Sequence, residues 1–233
     1  MRTALLWMTA SAGVMAFAAL GLAEGSLHDE APDRARYPLW GVDVSHHQGA
    51  IEWETVAREP NLVFAYLKAT EGGDWRDPRF AENWKRARGA GLKVGAYHFF
   101  TFCRAPLAQA ANFLEVVPRD ADALPPVVDI EFVGNCRARP SPEVLRRDLR
   151  LFVDAVAKAL GRTPIVYLTP EARDAFFGSG EIGHAYWIRS LLREPDAGWT
   201  FWQFSNRARV RGIRTAADLN VFHASDRAAL DAL

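Results

Sequence analysis

From Leu39 onward the chain alternates short apolar runs with longer amphipathic ones. The runs at 40–45 (WGVDVS), 63–70 (VFAYLKAT), 92–100 (LKVGAYHFF), 124–132 (LPPVVDIEF) and 163–169 (TPIVYLT) predict strands, as do 184–190 (HAYWIRS) and 199–205 (WTFWQFS). Segment 77–91 carries apolar residues at helical spacing, with Gly89 and Gly91 as stop signals. Segment 105–117 reads as a second helix and 141–161 as a long third one. In the third, Ser141 suits the N-cap, Pro142 the first helical position and Gly161 the C-terminal stop. Strands alternating with helices predict a parallel sheet under covering helices. Six or more such strands predict a closed or nearly closed barrel. No repeat of fixed period and no low-complexity tract is visible.

One strand breaks the apolar pattern. LPPVVDIEFVG (124–134) sets Asp129 and Glu131 among Val127, Val128, Ile130 and Phe132. On a strand, residues i and i+2 share a face, so the two carboxylates project together and Ile130 projects oppositely. Glu131 lies near the C-terminal end of the strand, the end that carries the active site in β/α barrels. Two carboxyls there suit glycoside hydrolysis: one protonates the leaving oxygen and the other stabilises charge or orients a group. Structural ion pairs with Arg or Lys are the competing reading. Other strand ends add polar residues: Asp43, Lys68 with Glu71, and Tyr97 with His98. Lys68 and Glu71 read as a salt bridge under the rim.

Composition narrows the partners. The 233 residues hold 28 basic and 28 acidic side chains, which gives no electrostatic case for nucleic acid. Eight Trp residues supply both core volume and flat faces for sugars. After Arg2, residues 3–23 are uncharged and apolar and end in a small-x-small site, so 1–23 reads as a signal peptide or an N-terminal membrane anchor. Either one puts the rest of the chain outside the cytoplasm, periplasmic or extracellular. Residues 24–38 read as a linker and 39–233 as the catalytic domain.

The quoted residues together resemble glycoside hydrolase family 25, the Chalaropsis-type lysozymes. The matching stretches are GVDVSHHQG (41–49), AYLKATEG (65–72), DPRFAENWKRARGAGLKVGAYHFF (77–100), PPVVDIE (125–131), YWI (186–188), FWQFS (201–205) and ADLNVF (217–222). They come in the family's order. The resemblance implies an α/β fold, an irregular TIM-like (β/α) barrel with some antiparallel strands. It implies hydrolysis of the β-1,4 bond between N-acetylmuramic acid and N-acetylglucosamine in the glycan strands of peptidoglycan. Glu131 then corresponds to the general acid, Asp129 to its partner, and Asp43 and Asp218 to two further acids on the floor of the site. Tyr97 and Trp202 correspond to groove-lining positions, and His98, Tyr167, Trp187 and Gln203 complete the expected substrate-binding set. The D-x-E pair resembles hydrolases in which the substrate's acetamido group attacks the anomeric carbon, oriented here by Asp129. Attack by an enzyme carboxylate and inversion through activated water stay open. Departures are small: the pair His46-His47, and Ala217 before Asp218.

Cys103 and Cys136 follow strands that should be barrel neighbours, so a disulfide beside the site is expected in an exported chain. Two isolated Cys and two adjacent His do not make a metal site, and no cofactor is expected. A catalytically silent glycan-binding module is the alternative from another class. A metal-dependent polysaccharide deacetylase is the alternative enzyme. A monomer is the default.

Overall fold

The computed structural model describes residues 31–180, 182–196 and 198–233. The expected export segment lies outside them. Among the described residues nine strands form one sheet: β1 (Trp40–Val44), β2 (Leu62–Glu71), β3 (Trp75–Arg76), β4 (Lys93–Phe99), β5 (Val127–Ile130), β6 (Ile165–Leu168), β7 (Tyr186–Arg189), β8 (Phe201–Ala208) and β9 (Ala217–Phe222). The helices are α1 (Trp53–Val56), α2 (Phe80–Gly89), α3 (Pro106–Val116), α4 (Pro142–Leu160), α5 (Pro170–Phe176) and α6 (Arg227–Asp231). The sheet runs β1-β9-β8-β7-β6-β5-β4-β2, and a β1–β2 pairing closes it into a barrel, with β3 appended to β2. All pairings around the ring are parallel except the two made by β9. β9 therefore presents its N-terminal end where its neighbours present their C-terminal ends.

The strand alternation sorts side chains into two cores. Phe64, Tyr66, Val127, Ile165, Trp187, Phe201 and Phe222 point inward and fill the lower barrel. Val42, Val44, Val128, Ile130, Val166, Leu168 and Ile188 point outward beneath the helices. Two glycines make the inner core possible. A Cβ on Gly41 would lie 2.2 Å from the Phe64 ring, and one on Gly95 2.2 Å from the Tyr66 ring. The long helix α4 forms as its caps predict: Ser141 accepts the Val144 N–H, and Gly161 ends the helix at φ 72°. Its buried residues Leu145, Leu149, Phe152, Val153 and Val156 recur at helical spacing and cover the outer core.

The segment read as a linker is packed at its C-terminal end. Tyr37 is buried beside Trp199 and Trp202, and both Arg36 and Tyr37 bond Glu194. An aromatic beside an arginine finds an apolar seat and a carboxylate on the barrel wall, so the folded unit begins before Leu39.

Candidate active site

Inward-facing positions at the upper ends of the strands converge on one cavity of about 280 Å³. Its walls include Asp43, Tyr97, Asp129, Glu131, Tyr167, Trp187, Arg189, Gln203 and Asp218. A second space, about 440 Å³, opens on the other side of the same acids and is lined by His47, Gln48, Lys68, Glu71 and Phe99. Asp43, Tyr97, Asp129, Glu131 and Asp218 border both spaces. The result is a groove with two arms and the carboxyls between them. Asp43 and Asp218 face each other because β1 and β9 pair with those residues in register. Glu131 comes one residue after β5 ends, at the rim.

Five strands tie the floor together. Tyr167 Oη donates to Gln203 Oε1 at 2.8 Å, and Gln203 Nε2 donates to Asp43 Oδ2 at 3.2 Å. Asn220 Nδ2 donates to the same oxygen at 2.8 Å, while the Trp187 indole donates to Asn220 Oδ1 at 3.0 Å. The chain Tyr167–Gln203–Asp43–Asn220–Trp187 crosses the barrel interior.

Burial and mutual repulsion raise all four acids above the ordinary carboxylate range. Burial raises Glu131 to about 6, with Arg189 pulling down and Asp43 pushing up. Burial and the neighbouring Asp43 raise Asp218 to about 9, so it donates its proton to Asp43. Burial also raises Asp43, against the lowering hydrogen bonds from Asn220, Asp218 and Gln203. Asp129 is pushed well above the carboxylate range by burial, then by Glu131, with Lys68 opposing. Asp129 Oδ1 is buried with no hydrogen-bond partner among the described residues. An orphaned acceptor of this kind costs about 1–3 kcal/mol, which marks a place for a donor that arrives. Lys68 is held by Glu71 at 2.7 Å and lies over the Trp75 and Phe99 rings, the salt bridge expected under the rim.

Of the expected site residues, the structure brings together Glu131, Asp129, Asp43, Asp218, Tyr97, Tyr167, Trp187 and Gln203. It does not bring His98 or Trp202. His98 points outward from β4, stacks on Phe152 and bonds Thr70 and Gln109, and burial drives it down to about 3. Trp202 points outward from β8, packs on Tyr37, Trp199 and Phe204, and donates its indole N–H to the Ser190 carbonyl. Each stands one residue from an inward neighbour, Tyr97 and Gln203. Asn220 and Arg189 were missed. Each lies two residues from a chosen position, Asp218 and Trp187, and so shares its face.

The Cys103–Cys136 disulfide expected beside the site is not formed in this structure. The two cysteines do sit in adjacent loops, within hydrogen-bonding reach of each other. The loops are joined instead by Asn135, which accepts the Phe102 N–H and donates to the Phe100 and Glu131 carbonyls. The paired histidines divide their roles: His46 bonds Asp77, and His47 lines the second arm. Among the described residues, no three His, Cys, Asp or Glu side chains are grouped to hold a metal ion.

Comparison with known proteins decides the family. Residues 42–213 match the model described as glycosyl hydrolases family 25. The chain belongs to glycosyl hydrolase family 25. It is therefore a glycoside hydrolase. A solved family 25 glycosyl hydrolase from Bacillus anthracis is 36% identical, with a TM-score of 0.79 over 84% of this chain and 94% of that one. The bacterial lysozyme of Streptomyces coelicolor is 32% identical, with a TM-score of 0.73 over 84% of this chain and 96% of its own. Lysozyme M1 of Streptomyces globisporus is 34% identical over 200 residues, 79% of this chain and 68% of that protein. The barrel closed by one antiparallel strand is thus the family 25 fold.

Proposed function

We propose that the chain is a lysozyme, a 1,4-β-N-acetylmuramidase that cleaves peptidoglycan between N-acetylmuramic acid and N-acetylglucosamine. Glu131 donates a proton to the glycosidic oxygen. The substrate's acetamido oxygen attacks the anomeric carbon, and Asp129 accepts the acetamido N–H and orients it. Glu131 then takes a proton from the water that opens the cyclic intermediate, and configuration is retained. Asp43 and Asp218 form the polar floor beneath the reacting sugar, and Tyr97, Tyr167, Trp187 and Gln203 seat it. The observation that carries this reading is the unpartnered Asp129 Oδ1, buried beside an acid held near pH 6. A buried acceptor without a donor suits an incoming N–H better than it suits a nucleophile. Lysozyme M1 and the Streptomyces coelicolor lysozyme support the substrate class. Action on peptidoglycan accords with residues 3–23 exporting or anchoring the chain.

The test is product analysis. The purified chain and Glu131→Gln are incubated with peptidoglycan, and the reduced soluble fragments are examined by mass spectrometry. Reducing-end muramic acid from the parent alone is expected. Reducing-end glucosamine would move the cleaved bond, and acetate release without chain cleavage would sink the hydrolase. The acetamido step has its own test, with substrates whose N-acetyl group carries one, two or three fluorines. Fluorine makes the carbonyl oxygen a poorer nucleophile, so the rate should fall steeply along the series. A flat series would exclude acetamido attack.

A further inference from the structure

Arg189 stands apart from the rest of the site. It is a cation in a cavity lined by four carboxyls, at the upper end of β7, with its side chain only 22% exposed. Its only hydrogen-bond partner among the described residues is Glu171 Oε2 at 3.5 Å, at the limit of contact. Glu171 lies in the first turn of α5 and is 66% exposed. An exposed partner at that distance contributes little. A guanidinium has five donors in a planar fork, and a carboxylate can take two of them side by side. Here a largely buried fork faces the sugar arm, beside Tyr167, Trp187 and Asn206, with one weak and replaceable partner. The acids of the site do not take that role, since none of them is hydrogen-bonded to it.

We propose that Arg189 is a specificity-determining residue that binds a carboxylate borne by the glycan in this arm, displacing Glu171. The proposal rests on the peptidoglycan reading above. Peptidoglycan offers two such carboxylates: the lactyl group of muramic acid where the stem peptide has been removed, and the acidic residues of the stem peptide where it has not. Both are met by the same fork. A second effect is built in, since the positive charge also favours the ionised form of Glu131. The experiment must separate carboxylate binding from that field.

The experiment compares wild type, Arg189→Gln and Arg189→Lys on three soluble glycans, each enzyme at its own optimum pH. One glycan carries free lactyl carboxylates, one has them converted to the neutral methylamide, and one keeps its stem peptides. The readout is the ratio of kcat/KM on each charged glycan to that on the methylamide. Arg189→Gln should lower that ratio about 10-fold, chiefly through KM, the size expected for a lost paired, charge-assisted contact. Arg189→Lys keeps the charge near Glu131 but loses the fork, so it should keep the wild-type pH profile and still lose much of the ratio. The charged glycan on which the ratio falls identifies the carboxylate. A ratio unchanged in both variants, or near one in the wild type, would overturn the proposal and leave Arg189 to its effect on Glu131. If wild type cleaves none of the three glycans, the muramidase reading itself fails, which is a separate result.

Discussion

A carboxyl that must donate a proton near neutral pH needs surroundings that disfavour its charge. Glu131 has them, since burial and Asp43 raise it to about 6 against the pull of Arg189. In its proposed role as general acid it must be protonated, so kcat/KM should fall as pH rises through about 6. Arg189→Gln removes the lowering charge, and the falling limb should move to higher pH. A pH–rate profile of both enzymes checks this; a limb that moves down would contradict the assignment. Asp218 gives a stability prediction with a definite sign. Unfolded, an Asp titrates near about 3.9; folded, Asp218 titrates at about 9. Its stabilising contribution is complete below about pH 4 and is lost as pH rises toward 9. Asp218→Asn keeps a donor toward Asp43 and removes the titration. The variant should therefore gain stability over wild type as pH rises from 4 to 8 and be no more stable at pH 4, read from thermal melts at the two pH values.

At the scale of strands and helices, alternation decided what was legible. The segments 40–45, 63–70, 92–100 and 163–169 each contain the core of an observed strand, and 141–161 brackets α4 with its caps. Hydrophobicity located these elements but could not set their phase. A strand in a barrel under helices is apolar on both faces, so period-two reasoning has no polar face to anchor it. Asp129 and Glu131 anchored β5 because charge must avoid the outer core. His98 and Trp202 offered no such constraint, since imidazole and indole are at home on either side, and they face the helices. The strand β9 was present only as the motif ADLNVF, because six residues after a polar loop carry little periodic signal. The inner phase of β4 can be tested at Gly95. Gly95→Ala sets a methyl into the Tyr66 ring and should cost about 1–3 kcal/mol, measured as a fall in urea midpoint at constant slope. Tyr66→Leu in the same chain should recover part of that loss, a coupling that would be absent if Gly95 faced outward.

For the whole molecule, closure of the ring is what makes the site. Asp43 on β1 and Asp218 on β9 are 175 residues apart in sequence and paired in register. Neither strand alone suggests a shared proton. The floor depends on the same closure, because its hydrogen bonds run from β6 and β8 through β1 to β9 and back to β7. Asn220 is the link on that ring: an amide fully buried in a strand, two residues from Asp218, donating to Asp43 and accepting from Trp187. Asn220→Ala leaves an indole N–H unpaired in the barrel and removes the strongest hydrogen bond holding Asp43 in its charged form. The expected cost is about 2–4 kcal/mol, more than a surface amide could give. Trp187→Phe alone also breaks the link, but it takes away the donor. In the double variant the orphaned donor is gone, so the combined loss should fall short of the sum by about 1 kcal/mol or more. Chemical denaturation of the four proteins gives that coupling directly. Strict additivity would mean that the two residues act separately and that the cross-barrel chain does not function as one unit.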